Sequence, residues 1–326
     1  MEKTTTILVI GANGQLGSVL TEALKGKYGV RQVIASDLRA QDGYEGIFEI
    51  IDATDIDRVQ EVVAKYNISQ IYHLAAILSA KGEKDPLVTW DVNMKTLFNV
   101  LEVSRKNNLD KVFFPSSIAV FGEGASLINT PNNAYLNPAT VYGISKAAGE
   151  NWAQYYFLKY GLDVRSIRYP GVIGYQSIPS GGTTDYAVDI FHKAVQNQEF
   201  ECFLQEDTTL PMIFIDDVIR ATIELMEASA TDISIRTSYN LSGTSFSPAE
   251  VVEEIRKLYP DFKVLYNPDF RQDIASKWPK TIDDSNACKD WGWKPKFDLQ
   301  SITKIMIQKL KEKYKKEIKN PNAFML

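Results

Sequence analysis

The chain has 326 residues, 44% hydrophobic and 24% charged, enough apolar material for one large domain or two unequal lobes and too little charge for global disorder. A net charge of −5 argues against nucleic acid or a membrane as partner, because both call for a basic surface. Two histidines (His73, His192) and two cysteines (Cys202, Cys288), with no CxxC or HxxxH spacing, exclude a cysteine-built zinc site and disfavour a catalytic zinc, so no metal is expected.

In chain order, short apolar runs alternate with longer amphipathic ones. Strands are predicted at Ile7–Ile10, Val33–Ala35, Phe48–Ile51, Ile71–Leu74, Lys111–Phe114 and Val164–Ile167. Helices are predicted between them at Gln15–Leu24, Asp55–Tyr66, Leu87–Lys106 and Tyr142–Tyr160. Such alternation predicts an α/β doubly wound parallel sheet. Residues 170–211 are richer in Gly, Pro, Ser and Thr, with one helical stretch at Tyr186–Gln196. Strand and helix signals return at Met212–Ala228 and Ser238–Leu241, so the boundary between residues 1–175 and a C-terminal lobe at 176–326 is approximate. Ser247-Pro248-Ala249-Glu250 reads as a capping box with Pro at the first helical position. The final helix, Leu299–Lys319, is Lys-rich, which reads as a solvated face. The apolar run before Gly11 is too short for a signal sequence, no stretch reaches a membrane span, and two cysteines offer no disulfide framework, so a cytoplasmic location is expected.

Gly11-Ala-Asn-Gly14-Gln-Leu-Gly17 joins the first strand to the first helix. Glycines there allow a tight turn and close approach to a pyrophosphate at the helix N-terminus. Gly11, Asn13, Gly14, Gln15, Leu16 and Gly17 are therefore candidates to hold a dinucleotide, although the spacing is GxxGxxG rather than GxGxxG. Asp37, 20 residues after Gly17 and followed by Leu38, can accept both adenosine ribose hydroxyls and repel a 2′-phosphate, favouring NAD over NADP; Arg39 softens that preference. Asp52, with Ala53 beside it, stands at the height of the adenine, where a turn aspartate is an equal reading.

Tyr142-Gly-Ile-Ser-Lys146 puts Tyr and Lys on one helix face. A free phenol is a poor base near neutrality, and a neighbouring ammonium together with a positive nicotinamide ring would bring its pKa down. Phe114-Pro-Ser116-Ser117 ends the fifth strand, where a hydroxyl can hold a substrate oxygen beside the Tyr. Ser117 is preferred, with Ser116 the second choice.

These motifs together resemble the extended short-chain dehydrogenase/reductases over nearly the whole chain. The matching strings are GANGQLG at 11–17, His73-Leu74-Ala75-Ala76, Pro115-Ser-Ser-Ile118, Tyr142-Gly-Ile-Ser-Lys146 and Arg168-Tyr169-Pro-Gly171. The resemblance implies a Rossmann domain with a smaller C-terminal α/β substrate-binding lobe. It implies Ser117, Tyr142 and Lys146 as catalytic residues, and Leu74, Ala75, Ala76 and Tyr169 in the NAD site. A narrower likeness, to the epimerase-like L-threonine 3-dehydrogenases, rests on His73–Pro86, Tyr169–Gly174, Gly181–Val188, Leu210–Met212, Asp269–Gln272 and Trp278–Asp284. It implies metal-independent, NAD-dependent oxidation of L-threonine to L-2-amino-3-oxobutanoate, and a homodimer formed by the helices near Leu87–Lys106 and Tyr142–Tyr160.

On that reading Tyr142 is the base, Lys146 lowers its pKa and holds the nicotinamide ribose, and Ser117 orients the β-hydroxyl. Ser79, Gly181, Thr183, Thr184 and Asp185 are candidates for the amino-acid end, and Trp278 for closing the pocket. The plain readings are that Ser79, Thr183 or Thr184 caps a helix and that Trp278 is packing. His73 reads as structural, Asn93 as a structural or proton-relay group outside the catalytic set. The alternatives are a nucleotide-sugar 4-epimerase or related sugar-modifying enzyme, which would carry the same fold and triad, and a non-catalytic NAD-binding sensor.

Overall fold

The short apolar runs become a seven-stranded, wholly parallel sheet in the computed structural model, which describes residues 5–41, 43–176, 178–179 and 182–319. The elements run β1 (Ile7–Ile10), α1 (Gln15–Tyr28), β2 (Val33–Asp37), β3 (Ile47–Ile50), α2 (Ile56–Tyr66), β4 (Gln70–His73), α3 (Ser79–Gly82), α4 (Pro86–Lys106), β5 (Lys111–Ser117), α5 (Val141–Tyr160) and β6 (Val164–Tyr169). They continue β7 (Gly171–Ile173), α6 (Tyr186–Val195), β8 (Phe200–Cys202), β9 (Leu210–Phe214), α7 (Ile215–Glu227), β10 (Tyr239–Asn240), β11 (Thr244–Phe246), α8 (Pro248–Arg256), β12 (Val264–Tyr266), α9 (Phe270–Ala275), α10 (Ser285–Trp291) and α11 (Leu299–Lys319).

The central order is β10-β6-β5-β4-β1-β2-β3. Side chains alternate along β1: Leu8 and Ile10 join a core with α2, α4 and α5, while Ile7 and Val9 join one with α1 and α7. A strand buried on both faces cannot alternate apolar with polar, which is why β1 reads as a continuous apolar run. Strand order reverses between β1 and β4, so a crevice opens beyond their carboxyl ends, where ligands sit in such sheets.

Beyond β6 the chain builds two small sheets, β11-β9-β7 and β12-β8, then returns β10 to the edge of the main sheet beside β6. The signal at Met212–Ala228 resolves into β9 running directly into α7. Three-residue strands such as β8 and β12, and short α3, α9 and α10, carry too few residues for a periodicity to show. Several boundaries differ by a few residues. α4 starts at Pro86 because the Asp85 carboxylate caps it, and α5 starts at Val141 because Thr140 accepts from Gly143 N at 3.1 Å. The capping box at Ser247 and Glu250 is present.

Candidate active site

The loop after β1 is shaped by contacts that leave no room for side chains. A Cβ on Gly17 would lie 2.0 Å from the Gly11 carbonyl oxygen, and one on Gly11, at φ +91°, would lie 2.7 Å from Ala75 N. The loops after β1 and β4 are thereby pressed together at the switch point, with Leu74 N and Ala75 N both donating to the Ile10 carbonyl. No side chain caps α1 and no acidic residue lies in its first turn, which leaves the positive helix end for a phosphate. Asn13 and Gly14 are exposed, and Gln15 and Leu16 half-buried, at that end.

Asp37 is already oriented. It accepts from Asn13 N at 3.0 Å and Leu38 N at 2.8 Å, and a carboxylate has lone pairs left for two ribose hydroxyls. The Asn13 side chain donates to the Arg39 carbonyl at 2.8 Å, tying the glycine loop to the turn after β2. Asp52 accepts from Thr54 N and Oγ1, so its turn role is real. Neighbouring Ala53 is buried, and its carbonyl is held by Asn99 of α4 at 2.9 Å. These donors and clearances fit a dinucleotide.

Next to this cradle, β5 and α5 bring three predicted residues together. A Cβ on Gly143 would lie 2.2 Å from the Ala119 carbonyl oxygen, so glycine lets α5 lie against the 3-10 turn at Ile118–Val120. Ser117 accepts from Ala119 N at 3.2 Å, which leaves its hydroxyl proton free to turn to the neighbouring Tyr142 phenol. Lys146 is buried; its Nζ donates to the Pro115 carbonyl at 2.7 Å and stands 5.5 Å from the Tyr142 ring centroid. Ser116, the second choice, is instead buried and donates to Glu150 at 2.6 Å.

Burial dominates the electrostatics of this pair. Tyr142 is pushed up to about 12 by burial, with the Ser117 hydrogen bond pulling it down, and Lys146 is pushed down to about 7 by burial, with Glu150 opposing. Removal from water costs both charged forms more than their proximity returns. His73, 2% exposed, is held neutral, its pKa lowered to about 3 by burial and by the nearby Lys146. Asn93 bonds both main-chain groups of Ile77 and donates to Ser145, fixing the loop that leads to Ser79.

The remaining candidates are distributed. Ser79 opens α3, which meets the start of α5, where Glu83 accepts from Val141 N at 2.8 Å. Thr184 abuts Gly171, where a Cβ would lie 2.8 Å from Thr184 Cβ and 2.3 Å from Met212 Sδ, so three of the matched strings meet there. Thr183 is 2% exposed, and its Oγ1 has no hydrogen-bond partner among the described residues. Neither threonine is the N-cap of α6; Asp185 occupies that position, with its carboxylate turned back to Gly182 N at 2.8 Å. Gly181 lies outside the described residues. Two further candidates turn their rings to the core. The Tyr169 phenol bonds to Thr222 in the core, leaving only its main chain for the cofactor, because its ring packs toward Phe113. Trp278 is buried in the main hydrophobic cluster, which makes it packing as it stands. Asn99 and Glu150 went unread, since an isolated Asn or Glu in a helix carries no spacing signal.

The model of the NAD dependent epimerase/dehydratase family matches residues 7–241. The chain belongs to this family. It is an enzyme of the extended short-chain dehydrogenase/reductase group, and NAD is its cofactor. An uncharacterized epimerase/dehydratase of Staphylococcus aureus is 44% identical over 321 residues, covering 97% of this chain and 99% of that protein. The holo form of L-threonine dehydrogenase from Cupriavidus necator superposes with TM-score 0.92 at 50% identity, covering 94% and 99% of the two chains. A monomeric L-threonine 3-dehydrogenase from a metagenome gives 0.91 at 50% identity, with the same coverage. Among the described residues no helix is long and apolar enough to cross a membrane.

Proposed function

We propose that this chain oxidises L-threonine at its β-hydroxyl to L-2-amino-3-oxobutanoate. The observation that carries the reading is Ser117, at the end of β5, set beside Tyr142 with Lys146 Nζ 5.5 Å from the Tyr142 ring centroid, in a chain alike over 94% of its length to a threonine dehydrogenase. NAD, when bound, supplies the acceptor for the hydride leaving Cβ. Tyr142 Oη takes the hydroxyl proton, Ser117 holds that hydroxyl against Tyr142, and Lys146 supplies positive charge and a donor toward the nicotinamide ribose. A phenol held near 12 by burial needs added positive charge to serve as a base, which an oxidised nicotinamide and a protonated Lys146 both provide. Gly11, Gly14 and Gly17 with Asp37 hold the dinucleotide. Thr183, Thr184 and Asp185 face the amino-acid end, the aspartate complementing the ammonium, and Ser79 approaches from α3.

The division of labour runs at about residue 175, with 212–241 returning to the first part and the rest of 176–326 serving the substrate. Two unpaired cysteines suit a reducing cytoplasm. The homodimer carries less support, since one relative is monomeric; its basis is the exposed apolar face of Leu87, Trp90, Trp152, Tyr155 and Leu158 on α4 and α5. Light scattering showing a monomer at working concentration rules it out.

NADH formation with L-threonine, compared with turnover of a UDP-hexose, tests the main reading. Reaction of the sugar alone would make the chain an epimerase; NAD binding with no turnover would make it a sensor. Chelators are expected to leave the rate unchanged.

A further inference from the structure

Lys146 and Glu150 lie one turn apart on α5 and are 4% and 1% exposed. Both reach the end of β5, at consecutive residues. Lys146 Nζ donates to the Pro115 carbonyl at 2.7 Å, and Glu150 Oε1 accepts from the Ser116 hydroxyl at 2.6 Å. The next residue, Ser117, meets Tyr142 one turn earlier on the helix. Three successive residues of a strand end are thus matched to three positions four apart on one helix face.

Arg168 of β6 completes the carboxylate, with Nε to Oε1 at 2.9 Å and Nη2 to Oε2 at 2.7 Å. Arg168 Nη1 donates onward to Asn240 Oδ1 at 3.0 Å, and Asn240 Nδ2 donates to the Asp283 carbonyl at 3.2 Å. The bonds therefore run from the catalytic strand end to the C-terminal part of the chain. A buried ion pair is weak evidence for stability, because a well-packed apolar pair would serve the fold as well. What an apolar pair lacks is a negative charge one turn from Lys146 in a low-dielectric interior.

We propose that Glu150 is a positioning residue, which through Ser116 sets Ser117 against Tyr142 and through its charge keeps Lys146 an ammonium. This rests on the reading of Ser117, Tyr142 and Lys146 as the reacting trio. The groups facing Lys146 are Tyr142 and Glu150 on its own helix, His73 from β4 and, across Glu150, Arg168 from β6. Asn93 of α4 is uncharged, and Glu83 of α3 sits at the helix start. His73 stays neutral through the working range, so Glu150 is the group whose loss changes the field.

Glu150→Gln keeps an acceptor for Ser116 and removes the charge. It is expected to lower kcat about tenfold, with KM for L-threonine within about twofold, and to shift the whole pH–rate bell to lower pH, since both proton losses lose a stabilising negative charge. Ser116→Ala is expected to lower kcat about threefold with the bell in place. A second readout needs no substrate. Folded Lys146 releases its proton near pH 7 and the unfolded chain near 10.5, so stability rises with pH across that window. In Glu150→Gln the rise begins at lower pH. A variant with a lowered Tm but the wild-type pH–rate bell and the wild-type pH dependence of melting has lost only structure, and overturns the proposal. If Glu150→Gln does not fold, an unchanged kcat in Ser116→Ala overturns it. Wild type that melts as expected but makes no NADH from threonine sinks the functional reading instead.

Discussion

Around β1 the proposed ligand surface is made of main chain; beyond β6 the proposed substrate surface is made of side chains gathered from separate segments. Gly11 and Gly17 matter for what they lack, since a Cβ on either would meet main chain at 2.7 or 2.0 Å. Thr183, Thr184 and Asp185 are proposed to matter for what they carry; Thr184 lies against Gly171, and the Asp185 carboxylate turns back to Gly182 N. The first kind of surface is local in sequence and therefore a motif. The second exists only once the chain has returned through β7 and β9, and it leaves room for relatives to change substrate on one fold.

The sharpest test of that contrast lies where the two surfaces meet. Tyr142→Phe is expected to cut kcat roughly a thousandfold and leave NAD affinity near wild type by calorimetry. Equal turnover would break the assignment of Tyr142 as base. On the main-chain side, Gly17→Ala forces a Cβ against the Gly11 carbonyl and is expected to cost about 1–3 kcal/mol of stability and to weaken NAD binding about tenfold. Normal melting and normal NAD binding would show that the loop yields. On the side-chain side, Thr183→Val removes a buried hydroxyl with no hydrogen-bond partner among the described residues, so it is expected to spare Tm while raising KM for L-threonine severalfold. A higher Tm with unchanged KM would reduce Thr183 to packing. The smallest effect concerns His73. Buried neutral, it contributes stability that is complete above pH 6.5 and lost as pH falls toward about 3. His192, lowered to about 4 by burial, acts in the same window. His73→Gln should flatten Tm against pH between those limits, and an unaltered slope would assign the acid loss elsewhere.

Much of the cofactor side was legible in the sequence. Ile7–Ile10 reads as a doubly buried strand, the glycines follow it at once, and Asp37 ends the next strand. Ser116 is turned to Glu150 while Ser117 stands beside Tyr142, a difference between two adjacent serines that no local pattern in the sequence distinguishes. Where the rings of Trp278 and Tyr169 point was not legible, because a large aromatic satisfies a motif equally well whether it faces a ligand or the core. Asn99, holding the Ala53 carbonyl across 46 positions, had no local signal at all.

The sequence by itself determined the layer order, the glycine loop after β1 and the use of NAD, and it singled out the trio proposed to react, because each depends on residues within a few positions of one another or on a periodicity. Only the tertiary structure decided the charge balance of the site. Whether Tyr142 and Lys146 stabilise or suppress each other's ionisation depends on how much water burial removes and on where Glu150 and Arg168 stand. Those quantities arise when β5, α5 and β6 close on one another, from residues 18 to 34 positions apart that no local pattern connects.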